Sequence, residues 1–388
     1  QFVENMLPRM FLPLAADTDF EHSTWIENTS YTRARKDELI TLYYDDQGIL
    51  KKEHKWLKGF GKVETYNKYK TPRAINSRSD SFKNFSGPVF SMIEHEVFKH
   101  PSFIKHTPVH DRPTYIMDML GNYPGPFYET DYTSFESLFT KQIMMACEIK
   151  LYRYMLANYP LLSEVICSTL LGQNRICYKG LTIRITARSM SGEMCTSLGN
   201  GFSNLMLAKF VSSYHGGEVD GVVEGDDGLF YSSSKMPAAT FERLGFRIKI
   251  LEHTDLLRSS FCGIVMSSDM VTMTDPRKVL VNFGWTHSPE KMGGEKVLMG
   301  LLRAKALSLL YEHPRCPILS TLAKRYIYLT EDYQPRFSKN WYEQHLESEV
   351  RAFECQTLIE ARQGPSMQSR VDFAELYDIS LPVQYAAE

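Results

Sequence analysis

The chain has 388 residues, 43% hydrophobic and 23% charged, with a formal net charge of -2. That length accommodates two or three domains, or one large lobed domain, with enough apolar sequence for a core that needs no disulfide or structural metal. The charge balance excludes polyanion binding by the chain as a whole, so any nucleic-acid contact must come from basic groups gathered locally.

The seven cysteines are Cys147, Cys167, Cys177, Cys195, Cys262, Cys316 and Cys355. None has CxxC spacing, and an odd, scattered set is not a disulfide framework. A reducing compartment is the natural reading. No run of about 18 apolar residues occurs, so no membrane-spanning helix is expected. The opening QFVENMLPRM carries no leader pattern, and a start at Gln1 fits a part excised from a larger product.

Residues 1–50 give weak signals. From Lys51 to Arg78 the composition turns basic: Lys51, Lys52, Lys55, Lys58, Lys62, Lys68, Lys70, Arg73 and Arg78 stand against Glu53 and Glu64. Trp56, Phe60, Tyr66 and Tyr69 lie between the charges. Basic groups neutralise phosphates and aromatics stack on bases, although a solvated basic surface has the same composition. Residues 87–128 are rich in Pro and His. His95, His100, His106 and His110 lack an ordered ligand spacing, and Pro101 and Pro108 break any helix that would align them, so zinc is not expected.

A strand is predicted at Phe127–Asp131, then a long helix from about Phe135 to Asn158, stopped by Pro160. A second helix is predicted from about Thr196 to Tyr214, stopped by Gly216-Gly217. Two β-prone runs, Gly221–Glu224 and Leu229–Tyr231, bracket Gly225-Asp226-Asp227-Gly228 and read as a hairpin. A short helix (Ala238–Leu244), a strand (Phe246–Leu251) and another hairpin (Phe261–Thr274) are predicted next. Helical patterns dominate from Lys278. In Glu295–Tyr311, Arg303 and Lys305 mark a packed helix rather than a membrane segment.

Adjacent carboxylates such as Asp226 and Asp227 raise each other's pKa unless a cation compensates. Alone, they also fit an Asp-rich turn. Asp131 alters that balance, because it ends a strand before a helix, where a side chain points into a cleft. Two strands side by side, one ending in Asp131 and one in Asp226, suit a clamp for two ions about 3.5–4 Å apart. Mg²⁺ asks for one or two carboxylates with waters and phosphates, not a full protein cage. Between the acids lies Arg188-Ser189-Met190-Ser191-Gly192-Glu193-Met194-Cys195-Thr196-Ser197-Leu198-Gly199-Asn200-Gly201. Ser191-Gly192 reads as a turn feeding a helix on which Thr196 and Asn200 share a face. That face suits hydrogen bonds to a sugar or backbone, or simply a capped helix with a small-residue packing face.

This set resembles the RNA-dependent RNA polymerases of positive-strand RNA viruses, most like the tombusvirus and nodavirus side of that group. The resemblance spans about 68 to 285 and keeps the family's motif order. A lone GDD is weak, but SGEMCTSLGN followed by EGDDG about 25 residues later is specific. The resemblance implies an α/β (α+β) right hand, with an antiparallel palm sheet flanked by helices, fingers, and a helical thumb. It implies fingers over 1–120, palm over 121–260 with an insertion at about 140–185, and a primer-grip hairpin and thumb over 261–388. Lys70, Arg73 and Arg78 would grip the incoming triphosphate. Asp131 and Asp226 would bind two Mg²⁺ ions, or Mn²⁺ in their place, with Asp227 supporting. Ser191, Gly192, Thr196 and Asn200 would position the template and read the ribose. Lys249 resembles the lysine that protonates pyrophosphate, with Arg247 nearby. Phe261-Cys262-Gly263 resembles the primer grip, and Asp275 to Trp285 the start of the thumb.

One position departs: relatives commonly carry Asp five residues after the first metal aspartate, and here Glu136 stands there. Glu accepts the same bonds one methylene further out, and ribonucleotide preference through Glu136 and Asn200 is expected. RNA template, nascent RNA, NTPs and other viral replication proteins are the implied partners. The implied location is the host cytoplasm, at membrane-associated replication complexes reached through a separate anchor or partner. Two other readings stand beside this one. A reverse transcriptase shares paired aspartates, but usually lacks Gly before them and the SG-T-N helix. An inactive polymerase-like RNA-binding scaffold would share the fold.

Overall fold

The computed structural model describes residues 1–47, 49–64, 69–286, 292–336 and 363–388. Of the residues singled out above, Tyr66, Lys68 and Cys355 lie outside the described residues. The chain divides into two units. The first comprises Gln1–Lys62, Pro72–His106 and Tyr123–Thr254. The second comprises Val63–Thr71, Thr107–Asn122 and Asp255–Glu388.

The described strands are β1 (Leu57–Gly61), β2 (Ala74–Arg78), β3 (Phe127–Tyr132), β4 (Gln173–Tyr178), β5 (Leu181–Thr186), β6 (Val219–Glu224), β7 (Asp227–Ser232), β8 (Ile248–His253), β9 (Ser260–Phe261), β10 (Ile264–Met266) and β11 (Thr272–Met273). The helices up to residue 336 are α1 (Phe2–Met10), α2 (His22–Asn28), α3 (Arg33–Asp46), α4 (Asp80–Val97), α5 (Arg112–Leu120), α6 (Lys141–Ala146), α7 (Glu148–Met155), α8 (Pro160–Leu170), α9 (Thr196–Tyr214), α10 (Ala238–Arg243), α11 (Pro276–Phe283), α12 (Glu295–Glu312) and α13 (Leu319–Leu329).

The first unit holds two four-stranded sheets, ordered β2-β1-β4-β5 and β6-β7-β3-β8. The second sheet is antiparallel throughout, with β3 between β7 and β8. Period-2 alternation sorts the β3 side chains: Tyr128, Thr130 and Tyr132 are buried, whereas Glu129 is half-buried and Asp131 exposed. α9 packs across β6 and β7, and α10 against β8. α9 is buried almost without break from Leu198 to Met206, as a helix apolar on all sides must be. Its small residues let neighbours approach. A Cβ at Gly199 would sit 2.6 Å from Glu148 Oε2 and 2.8 Å from Tyr152 Oη.

The second unit carries the small sheet β11-β10-β9 and the helices α5 and α11–α13. β9 and β10 turn through Cys262 (φ 52°) and Gly263 (φ 77°), the two left-handed positions of a type I′ hairpin. Asp275 caps α11 by accepting from the Arg277 amide, with Pro276 at the first turn. Farther on, Arg370 on the helix Met367–Tyr377 makes a two-pronged ion pair with Glu388 at 3.0 and 2.6 Å.

Three segments differ from the sequence reading. The helix expected over 135–158 is broken. Ser134 turns left-handed (φ 56°), a 3-10 turn runs Phe135–Leu138, and α6 and α7 are separated at Cys147 (φ -123°, ψ -92°). Phe135 and Phe139 dictate the early break by locking edge to face at 4.8 Å in the core. Pro160 opens α8 instead of closing the earlier helix, since a first-turn proline loses no hydrogen bond. α4 runs straight through Pro88, where sequence gave no helix. Its Gly87 lies hard against Trp25, and a Cβ there would come within 2.3 Å of the ring, so packing overrides propensity. β8 starts two residues late, after Gly245 (φ 94°) and the buried Phe246, and the 261–274 hairpin is a three-stranded sheet.

Glu148 is 3% exposed between α7 and α9. Burial, with the Glu193 charge adding, pushes its carboxyl up to about 8. The unfolded chain gives up that proton near the ordinary value of 4.5, so the unfolded state holds fewer protons between 4.5 and about 8. Folding stability should therefore fall as pH rises through that window. Glu148→Gln removes the titration. Urea unfolding between pH 5 and 8 should show the variant gaining on wild type as pH rises, and parallel curves would contradict the assignment.

Candidate active site

β3 and the β6–β7 hairpin end together. Glu224 pairs with Asp227, leaving Gly225 and Asp226 as a two-residue loop. Gly225 takes φ 62°, the left-handed first position that a type II′ turn reserves for glycine. Thr130 pairs with Gly228 across β3–β7, and the same register continued by one residue sets Asp131 opposite Asp227. On its other side Asp131 pairs with Lys249 of β8. Directly opposite residues share a face, so ammonium and carboxylate project together from the sheet.

Asp226, at the loop, has a raised pKa. Burial raises its pKa, its own backbone amide works against that, the Glu136 and Asp131 charges raise it further, and Arg73 lowers it. Below it lies Tyr132, fully buried and itself pushed up by burial and by the Asp226 charge. Tyr132 packs 4.3 Å from Phe135, and Phe135 5.6 Å from Phe246. This aromatic floor anchors the 3-10 turn that carries Glu136. Asn200 of α9 then donates Nδ2–H to Glu136 Oε1 at 3.1 Å.

The turn before α9 is stapled to β2. Ser191 Oγ donates to the Ala74 carbonyl at 3.0 Å, and the Asn76 amide donates to the Ser191 carbonyl at 2.8 Å. Gly192 takes φ 109°, and a Cβ there would meet Ile75 Cγ2 at 3.1 Å. Thr196 Oγ1 accepts from the Gly192 amide at 3.3 Å and lies 3.0 Å from the Met190 and Glu193 carbonyls. Its hydroxyl therefore closes the turn.

The three basic candidates separate. Arg73 is exposed, and its charge reaches Asp226. Lys70 is exposed and belongs to Val63–Thr71 of the second unit. Arg78 is turned inward. It is 3% exposed, with its guanidinium bound to Glu193 Oε1 at 2.5 and 2.7 Å, to Asn174 Oδ1 at 2.9 Å and to the Lys55 carbonyl at 2.5 Å. A side chain so enclosed clamps the Ser191-Gly192 turn to the β2-β1-β4-β5 sheet. Nothing in sequence linked Arg78 to Glu193, 115 positions apart. Asn204 was also missed. Its Nδ2 donates to the Asp226 carbonyl at 3.0 Å, and the i, i+4 spacing from Asn200 was the available signal.

His95, His100 and His106 are dispersed: His95 is exposed beside Glu96, His100 packs on Phe11 and Phe103, and His106 on Phe98. His110 packs on Tyr311 in the second unit. Among the described residues no group of three or more His, Cys, Asp or Glu stands ready as a metal cage. The acids at the hairpin nevertheless fit a hard divalent ion. Mg²⁺ needs only one or two carboxylates beside waters and phosphates, and burial, with the Glu136 and Asp131 charges adding, raises the Asp226 carboxyl, a cost that a bound cation would offset.

Asp226 is raised in the folded chain, so its ionised form is a burden on the fold above that pKa. Asp226→Asn should raise the metal-free melting temperature at neutral pH, and the gain should vanish as pH falls and the wild-type carboxyl protonates. Mg²⁺ should stabilise wild type more than the variant. Scanning calorimetry with and without Mg²⁺ reads both effects, and a variant less stable than wild type at pH 7 would refute the charge argument.

The model of the family described as viral RNA-dependent RNA polymerase matches residues 86–292, more than half of the chain. No curated protein matches. Among solved structures, the chain is similar to the insertion-loop deletion mutant of the RNA-dependent RNA polymerase of a human picorbirnavirus, with a TM-score of 0.52 and 13% identity over 76% of this chain. The match spans 58% of that polymerase's length, and at this identity it bears on fold alone. That fold is the right-hand α+β architecture: antiparallel sheet, flanking helices, and a hairpin carrying paired aspartates. With Asp131, SGEMCTSLGN and EGDDG lying inside the matched span, the chain belongs to the viral RNA-dependent RNA polymerase family.

Proposed function

We propose that this chain synthesises RNA on an RNA template, transferring nucleotides from NTPs to a 3′-hydroxyl to replicate a viral genome. One observation carries the reading: Asp131, Asp226 and the Asn200–Glu136 pair converge at one end of the β3–hairpin ladder. Phosphoryl transfer needs positioning and charge stabilisation more than covalent chemistry, and this cluster offers both.

Asp131 and Asp226 would hold two Mg²⁺ ions, or Mn²⁺, with Asp227 supporting. Such ions lower the pKa of the attacking 3′-hydroxyl and offset the charge of the triphosphate and leaving pyrophosphate. Arg73 brings positive charge to the incoming phosphates, and we assign Lys70 the same task. Lys249, opposite Asp131, donates its proton to the pyrophosphate oxygen as the bond to the α-phosphorus breaks. Ser191 and Gly192 form the turn against which the template lies, and the Asn200–Glu136 pair reads the ribose 2′-hydroxyl. Motif order supports fingers over 1–120, palm over 121–260 and primer grip with thumb over 261–388. The SGEMCTSLGN and EGDDG motifs support placement with the tombusvirus and nodavirus polymerases. No described helix is long and apolar enough to cross a membrane. Work at host cytoplasmic membranes, with other viral replication proteins, is part of the proposal and calls for a partner or further segment as anchor.

Incubation with template RNA, four NTPs and Mg²⁺ or Mn²⁺ tests the reading. Wild type should extend RNA, and Asp226→Ala should lose about 100-fold or more, equivalent to roughly 2.7 kcal/mol of barrier, while still binding RNA. A wild type that binds RNA without incorporating nucleotide is the scaffold instead. Sugar choice is tested separately. Asn200→Ala should narrow the ribo- over deoxyribonucleotide ratio by about 10-fold or more, the scale of one lost hydrogen bond to a charged partner. An unchanged ratio removes the pair from sugar recognition.

A further inference from the structure

Asn204 lies one helical turn after Asn200 on α9, so the two share a face. Asn200 faces Glu136, and Asn204 faces the tip of the β6–β7 hairpin. Its Nδ2 donates to the Asp226 carbonyl at 3.0 Å and lies 3.5 Å from the Gly225 carbonyl. Those are the carbonyls of the two loop residues, which the β6–β7 ladder leaves outside its last pair, Glu224–Asp227. α9 also comes close at Gly201, where a Cβ would stand 3.6 Å from the Gly225 amide nitrogen. The helix thus meets the turn at two positions, one small and one polar.

The chemistry fixes the amide's orientation. Rotated by half a turn, the side-chain oxygen would face two carbonyl oxygens, and all three would repel. In the observed orientation Asn204 Oδ1 is buried and has no hydrogen-bond partner among the described residues. An unpartnered buried oxygen costs folding free energy that a leucine of similar shape would not. The amide is therefore poorly explained as core filling and well explained by its two donated contacts. The hairpin tip also needs a tether. A two-residue loop has little internal bonding to hold its own tip.

We propose that Asn204 is a positioning residue for the Gly225-Asp226 turn, tying the loop backbone to α9 so that the Asp226 carboxylate stays in register with Asp131. The proposal rests on the polymerase reading for its catalytic consequence, but the tether itself does not. It also makes α9 one rigid link between sugar recognition at Asn200 and the acid turn.

The test compares wild type with Asn204→Leu, which keeps shape and loses the donors, and Asn204→Asp, which sets a carboxylate against the two carbonyls. Hydrogen exchange on metal-free protein reads the tip amides of residues 225–227 against those of α9. Both variants should exchange about tenfold faster or more at the tip and be unchanged within α9. In RNA extension kcat should fall about tenfold or more, with NTP KM within about threefold and RNA affinity unaltered, the split expected when ground-state binding survives and transition-state geometry does not. Unchanged tip exchange overturns the proposal. Exchange rising alike through α9 and the sheet also overturns it, because it marks a general packing role. Should a variant fail to fold, Asn204→Ser, small enough for the space, is held to the same outcomes. If wild type makes no RNA, the polymerase reading fails, and hydrogen exchange alone still decides the tether.

Discussion

Burial of the Asp226 carboxyl, with the Glu136 and Asp131 charges adding to its strain, is the constraint around which this end of the β3–hairpin ladder is arranged. Left to local preference, the three carboxylates would part. Several independent restraints keep them together. β3 is paired on both sides, so Asp131 cannot drift along the sheet. Tyr132, Phe135 and Phe246 fill the floor beneath and fix the 3-10 turn bearing Glu136. Gly225 permits a loop so short that Asp226 has little freedom. Stability is given up here for arrangement, as at sites whose charge is completed by a ligand.

Positive charge is distributed to match. The chain carries a slight net negative charge, so cations must be assigned by place. The Arg73 charge reaches Asp226, and Lys249 stands opposite Asp131 in the ladder. Arg78 is spent inward. Its guanidinium, buried with Glu193, has lost hydration that the pair alone repays poorly. The added bonds to Asn174 and the Lys55 carbonyl satisfy its remaining donors. That network fixes the start of α9 against a sheet built from residues far away in sequence. Arginine suits the task because its planar fork serves several acceptors at once.

What was legible in the sequence follows from which forces are local. α9 could be bounded at Thr196 and Tyr214 because its start follows a Ser-Gly turn and its end meets paired glycines. The GDD hairpin was legible for the same reason, since Gly225 supplies a backbone conformation almost no other residue takes. The early break at Phe135–Leu138 and the passage of α4 through Pro88 were not legible, because both depend on how aromatic rings pack in the core: Phe135 on Phe139 and Phe246, and Trp25 on Gly87. Arg78 shows the limit most clearly. Its neighbours Lys70 and Arg73 made it look like part of an exposed basic strip. At the end of β2 it pairs opposite the buried Leu57 and is itself buried. Thr196 was assigned to the correct helix face, but its hydroxyl is consumed by the turn that precedes it.

The acid turn and the Asn200–Glu136 pair looked separable in sequence, one resting on Asp226 and the other on the unusual Glu136. The structure joins them through α9. Thr196, Asn200 and Asn204 repeat at i, i+4 and i+8 along one face. Thr196 closes the Ser191-Gly192 turn, Asn200 holds Glu136, and Asn204 holds the hairpin tip. The extra methylene of glutamate is absorbed by the short 3-10 turn, whose backbone is fixed by Phe135, and its carboxylate still meets Asn200 at 3.1 Å. A slide of α9 by even part of a turn would therefore disturb the Glu136 contact and the Asp226 loop together. Under the proposed chemistry, a sugar that fits poorly against Asn200 and Glu136 strains the same helix that steadies Asp226. Substrate choice and the geometry of the acids would then be coupled mechanically, with no separate signal needed between them.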